Sequence, residues 1–380
     1  MIRVLTDKFP SRLFLMVIFL TLTPGIMAML YAQANAPIEL INADTSTGKV
    51  GPDGELIRIL EGHVHIRQDT VEIYCDRATH YPERGEVVLN GAVKVIRGRE
   101  TLTADRVTYH QKNEMAVASG QVHLLRPGQE MRSRFLRYFY RNDRALAWGD
   151  LWLKDIANNS VVTADSGRFS PEANRSEVVG NAHMRQVDST GTDTLHIYAH
   201  RLRYRFGDKR EAVGTGEVRI VRGDLVAECD SALYAIDEEV AFLEIKPRAQ
   251  QAENNLSGTQ MELNFRENRL QRIEVRGEAK VTSEVDSLGE KINSLDGKTI
   301  TAYISGQELT ELKAVDNARS LYYISDKNGE QGVNNASADT IRIFFKAGKL
   351  DVISVKGGSQ GIYYPPELQN KVKAAKPARP

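Results

Sequence analysis

The sequence predicts an all-β fold of stacked repeats, and three observations predict it. Gly62, Gly91, Gly120 and Gly149 are each 29 residues apart. After each of them, apolar and polar residues alternate. A second apolar stretch then ends on a small residue that is usually followed by an aspartate. A period of roughly 20–50 residues marks an architecture whose units bury their apolar faces only against one another.

The series continues, with steps of 31, 36 and 61, through Gly180, Gly216 and Gly277. Two and four places after the glycines stand Val64 and Ile66, Val93 and Val95, Val122 and Leu124, Leu151 and Leu153, Ala182 and Met184, Val218 and Ile220, and Ala279 and Val281. All are apolar. Between them stand His65, Lys94, His123, Trp152, His183, Arg219 and Lys280, polar or large every time. Alternation with period two is the pattern of a half-buried strand. A helix would scatter these residues over several faces.

The second stretch carries Ile73, Leu102, Met131 and Ala227, then small Cys75, Ala104, Ser133 and Cys229, then Asp76, Asp105 and Asp230. Ala164–Asp165, Ala43–Asp44 and Ala338–Asp339 are further copies. An aromatic follows in several repeats, at Tyr109, Tyr138, Phe169 and Tyr234. A third apolar stretch precedes the next glycine, as in Val87–Leu89, Met115–Ala118 and Ala145–Trp148. Each turn of the repeat is thus expected to hold three short strands. The glycine suits a corner with positive φ or close backbone approach, and the aspartate is expected to bond its own turn. Counting degenerate copies gives about ten turns of ~29–30 residues between about residue 38 and about residue 362. Residues 284–292 and 326–335 read as long turns. Ile245–Lys246–Pro247 stands where a glycine is due, which marks a candidate bend at 246–258.

Four segments follow. Residues 1–34 read as a signal peptide or an uncleaved N-terminal anchor: Arg3, Lys8 and Arg12 precede an apolar run, and Ala32–Gln33–Ala34 is a small-x-small site. Residues 35–245 hold the regular repeats and 246–364 a degenerate continuation. Residues 365–380 form a basic tail with the composition of disorder. Cys75 and Cys229 occupy the same slot five turns apart, at least roughly 24 Å at one strand step per turn, too far for a disulfide.

Lys plus Arg and Asp plus Glu both number 50, and this balance excludes the basic excess of a nucleic-acid binder. The motifs of zinc peptidases, phosphate-binding loops, redox CxxC sites and serine hydrolases are missing. The reading is of a protein with no catalytic residues, no metal and no cofactor. His65, His123 and His183 share an outward column, but Lys94 and Trp152 interrupt it, so no ligand set converges. The recurring aspartates repeat too regularly to be one active site. The aliphatic positions allow two readings, a closed core or an open path for acyl chains, and the pattern alone does not separate them. A structural or adhesive solenoid and a polysaccharide-acting β-helix enzyme are the alternatives to a lipid carrier.

Leu89–Asn90–Gly91–Ala92–Val93–Lys94–Val95, Thr103–Ala104–Asp105–Arg106–Val107 and Ala118–Ser119–Gly120–Gln121–Val122 resemble the OstA/LptA-like repeat. Cys75–Asp76–Arg77–Ala78 and Cys229–Asp230–Ser231–Ala232 resemble the form seen in long OstA-like proteins of the Bacteroidetes type. The resemblance covers about residues 38–282. It implies an elongated antiparallel β-jellyroll with a V-shaped cross-section and a periplasmic location. The family carries lipopolysaccharide acyl chains inside the V, and the inner groove maps onto the fourteen aliphatic positions above. It implies docking by edge-strand pairing to an inner-membrane exporter component and an outer-membrane translocon, with end-to-end self-association as a further use of the open edges.

Overall fold

The structure is a computed structural model. It describes residues 38–368, except 53, 143, 157–158, 171–172, 188–190, 192–193, 206–208, 267–268, 286–290, 307 and 327–328. The expected signal segment and residues 369–380 of the tail lie outside the described residues. Of the rest of that tail, Pro365–Leu368 form a turn closed by Leu368 N–H donating to the Pro365 carbonyl at 2.9 Å.

The chain divides into two compact units, one ending at Gly216 and one beginning at Glu217. In the first lie β1 (Ile38–Asn42), β2 (Thr45–Val50), β3 (Leu56–Gln68), β4 (Val71–Tyr81), β5 (Glu86–Arg97), β6 (Glu100–His110), β7 (Met115–Arg126), β8 (Gln129–Phe139), β9 (Arg144–Asp155), β10 (Ser160–Ser170), β11 (Arg175–Val187) and β12 (Thr194–Arg205). β13 (Glu211–Arg222) contains the boundary. The second unit continues with β14 (Leu225–Ala235), β15 (Val240–Glu244), β16 (Arg248–Gln251), β17 (Asn254–Ser257), β18 (Gln260–Arg266), β19 (Arg269–Glu284), β20 (Ile292–Ser305), β21 (Glu308–Asp326), β22 (Gly329–Lys346), β23 (Lys349–Lys356) and β24 (Gln360–Tyr364).

From β3 to β12 consecutive strands pair antiparallel. β1 and β2 both pair with β3, on either side of its corner, and together act as one interrupted strand. In the second unit β15 with β16, β17 with β18, and β23 with β24 are interrupted strands of the same kind. The expected bend at 246–258 thus falls on the short β16–β17 hairpin. The 29-residue period has a direct origin. A strand of 12 residues (β5), a two-residue turn, a strand of 11 residues (β6) and a four-residue turn bring the chain back to the next equivalent strand. The expected all-β repeat fold is the one found.

The three-strand expectation is corrected. Each repeat has two long strands, and the third apolar stretch is the first arm of the glycine strand. The ladder does not stop at the glycine. In β5, Gly91 (φ 75°) and Ala92 (φ 43°) are both left-handed, and pairing resumes at Val93 with the register shifted. Such a bulge bends a strand without ending it. The same left-handed pair recurs at Gly120–Gln121, Gly180–Asn181 and Gly277–Glu278. The aspartate expectation is corrected too. A Cβ on Gly91 would overlap the Asp76 carboxylate, and one on Gly120 that of Asp105. The acid therefore seals the corner of the following strand, not its own turn. Residues 326–335, expected as a long turn, are mostly strand: β22 pairs with β21 from Gly329 onward.

Each bent strand has an arm ahead of its corner and an arm beyond it, and the apolar sides of the arms meet. Leu151, beyond the corner of β9, lies with Cδ2 2.7 Å from where a Cβ of Gly167 would stand. Gly167 pairs with Ala147, ahead of that corner. The recurrent aromatics fit between small residues: Tyr138 sits between Ala116 and Ala145, and Phe169 faces Ala145. Alternating large and small side chains in this way fills an interior to native density.

Candidate functional site

Of the fourteen aliphatic positions, thirteen are buried: Val64, Val93, Val95, Val122, Leu124, Leu151, Leu153, Ala182, Met184, Val218, Ile220, Ala279 and Val281. Ile66, in the first complete strand, is half-buried. The corner explains why they share a side. After two left-handed residues the ladder restarts at the same offset in each strand, so every second residue beyond the corner faces inward. Cross-strand registry then lines them up. Val64 faces Cys75, Val93 faces Ala104, and Val122 faces Ser133. Small residues opposite branched ones let the arms approach.

Between β8 and β11 the interior is close-packed. Where Met131, Leu136, Leu151, Leu153, Phe169 and Val178 converge, the free space is about 30 Å³, comparable to one water molecule's share of the liquid. Its polar content is low. Ser160 and Ser176 are buried with hydroxyl oxygens that lack partners. Cys75 and Cys229 are free and buried, and burial pushes both thiols up to about 11. Burying each of the Val, Leu, Ile and Met side chains contributes about 1.5–3 kcal/mol, so these positions hold the arms together whatever else they do.

The outward positions beyond the corners pair across strands. His65 bonds Glu72, which Arg67 also holds, and these partners keep that carboxyl below its usual range, with Arg67 the larger influence. His123 Nε2 lies 2.9 Å from Glu130 Oε1. His183 Nε2 is 3.0 Å from His196 Nδ1, and both rings stack with Tyr198. Burial, then His196 and Arg185, lower the His183 pKa. Among the described residues no cluster of three or more His, Cys, Asp or Glu side chains is placed to hold a metal ion.

Sequence reasoning missed a site on the other side of the sheet. Arg144, Leu146, Trp148, Arg168, Glu177 and Arg201 line an open groove of about 470 Å³ on the outer side of β9–β12. No repeat offset flagged these residues, because outward positions are free to vary.

At the edges, β1 and β2 expose Ile38, Leu40, Ile41 and Val50, and β23 and β24 expose Val352, Ile362 and Tyr363. Among the described residues neither edge pairs with a further strand.

A family model described as LptA/(LptD N-terminal domain) LPS transport protein matches residues 80–210, which include all of β5–β12. Among solved structures, LptH, the LptA-homologous periplasmic component of the lipopolysaccharide transport device of Pseudomonas aeruginosa, is similar with a TM-score of 0.30 and 15% identity. That similarity covers 37% of this chain and 95% of LptH. The comparison with curated proteins gives no match. Residues 80–210, which hold β5–β12, thus carry the similarity to the LptA/LptD N-terminal domain family of lipopolysaccharide-transport proteins.

Proposed function

We propose that this chain is a periplasmic carrier that holds lipopolysaccharide by its acyl chains between the arms of its bent strands. It performs no covalent chemistry in this reading. One observation carries it: the two inward slots beyond the corner stay aliphatic through seven glycine strands, from Val64 to Val281. A ligand that must slide needs a uniform apolar path and no fixed polar anchor. Each methylene moved from water into that path gains about 0.8 kcal/mol.

The close packing between β8 and β11 sets a condition. The arms must part for an acyl chain to enter, exchanging side-chain contacts for lipid contacts of the same apolar kind. The open edges at β1–β2 and β23–β24 are the docking surfaces in this reading, for an inner-membrane exporter component, an outer-membrane translocon or another copy of the chain. Unpaired strand edges accept a further strand through main-chain hydrogen bonds.

The same close packing favours a second reading, a structural solenoid with a permanently closed core. In-cell photo-crosslinking separates the two. A probe at Val122, Leu124 or Val218 is expected to capture lipopolysaccharide, and a probe at outward His123 or Arg219 is not. A folded, exported protein that gives no adduct at any inward position would establish the closed solenoid instead.

A further inference from the structure

The outer groove on β9–β12 has an unusual charge balance for a chain whose net charge is zero. Arg144, Arg168 and Arg201 line it, and Glu177 is the one acid among its described lining residues. Arg137 and Arg203 flank it in the same cross-strand row: Arg137 pairs with Leu146, Leu146 with Arg168, Arg168 with Glu177, and Glu177 with Arg203. Glu177 is already shared. It lies 3.0 Å from Arg201, 3.6 Å from Arg203 and 3.9 Å from Arg168. One carboxylate cannot neutralise three guanidinium groups, and Arg137 and Arg144 add two more.

The donors are also under-used. The Nε atoms of Arg137, Arg201 and Arg203 are buried and make no well-aligned hydrogen bond, those of Arg201 and Arg203 lying 3.0 and 3.6 Å from Glu177. The Arg168, Arg201 and Arg203 side chains are 56%, 41% and 37% exposed, so guanidinium surface is left on the groove for an anion. The floor is apolar and aromatic. Trp148 stacks on Phe135 with ring centroids 5.3 Å apart, and the Arg137 guanidinium lies 5.5 Å from the Trp148 ring centre. The hollow exists because Ser166 is small, between Trp148 on β9 and Val179 on β11.

We infer that this groove binds a phosphorylated sugar, with the phosphate held by Arg144, Arg168 and Arg201 and the apolar side of the sugar ring laid on Trp148. Guanidinium groups match phosphate oxygens in bidentate geometry. The volume falls in the ordinary range for small-ligand pockets, about 300–1,000 Å³. A flat membrane surface does not fit into a concavity, and an acidic peptide would leave the tryptophan platform without a partner. The inference does not depend on lipid in the interior, because the groove opens on the opposite side of the sheet.

Titration of the full chain tests it, read by Trp148 fluorescence in a Trp152→Phe background. The probes are glucosamine 6-phosphate, glucosamine, inorganic phosphate and a poly-glutamate peptide. Saturable quenching by the sugar phosphate is expected, at least tenfold tighter than by either half-molecule. Exposed Arg144→Gln and half-paired Arg168→Gln should each weaken it about tenfold, with unchanged circular dichroism. Trp148→Leu, followed by calorimetry, should weaken the sugar phosphate to the level of inorganic phosphate. A phosphorylated glycolipid in detergent micelles, compared with its dephosphorylated form, tells a lipid-linked sugar from a free one. Equal affinity for phosphate and sugar phosphate, preference for the peptide, or no binding by any probe would overturn the inference.

Discussion

The corner in β5 and the corner between β15 and β16 solve the same problem with different residues. In the first unit Gly91 and Ala92 take left-handed conformations, and the strand runs on for the full 12 residues. In the second unit Ile245 (φ 62°) and Lys246 (φ 57°) take them, Pro247 follows, and the strand is cut into pieces of 5 and 4 residues. A β-branched residue is a rare and costly occupant of that region. Asp230 N–H still donates to the Ile245 carbonyl at 3.2 Å, as Asp44 does to Gly62 at 2.9 Å. The backbone seal at the corner therefore outlasts the glycine. What glycine adds is room for the aspartate carboxylate beside it; continuity does not need glycine, since β21 runs on through left-handed Asp316 and Asn317.

The largest effect is expected from Gly91→Ala. It forces a methyl group into the Asp76 carboxylate at a left-handed residue, and a loss of about 2–3 kcal/mol follows, read as a drop in the urea midpoint. Asp76→Ala in the same chain should recover part of that loss. If the pair is strictly additive, the carboxylate is not what excludes the methyl group. Ile245→Gly should move stability the other way, by about 1 kcal/mol, since Ile245 is exposed and gives up little packing. A loss there would mean that Ile245 serves a purpose outside the corner.

A subtler difference is acid sensitivity. His183 stands outward in the first unit, and Lys280 holds the equivalent position in the second. Its pKa is lowered in the fold, chiefly by burial. The neutral ring thus contributes stability above the unfolded value of about 6.5, and this is lost as pH falls through the lower folded value. His183→Gln should flatten the stability–pH curve of the first unit in that acid window. The smallest contrast is between Cys75 and Cys229. Both thiols are buried and pushed up to about 11, so a maleimide should label neither in the native chain and both in urea. Fast native labelling of one alone would show that its unit opens locally.

Much of this was legible in the sequence because buried positions obey the period. Val93, Val95, Val122 and Leu124 read as an inward row and are one. The glycine read as a corner and is one. The sequence concealed how the corner works. Val87–Leu89 looks like a separate strand because nothing in its composition reveals that two left-handed residues carry a ladder onward. Asp76 looks like a turn residue because its partner, Gly91, lies a whole strand away. The groove around Trp148 was invisible for another reason: Arg144, Arg168 and Arg201 fall at unrelated offsets, since the period constrains only side chains that must interlock.

The nearest-neighbour pairing from β3 to β12 has a kinetic consequence. Every ladder joins segments adjacent in sequence, so each closure involves a short loop and a small entropic cost. All-β proteins fold slowly when distant segments must meet; in this unit none need to. A chain emerging from a translocation channel with its N-terminus first could add each hairpin to a finished template, and assembly would keep pace with delivery. At any moment only the β1–β2 edge and the newest strand edge would be exposed to misassociation.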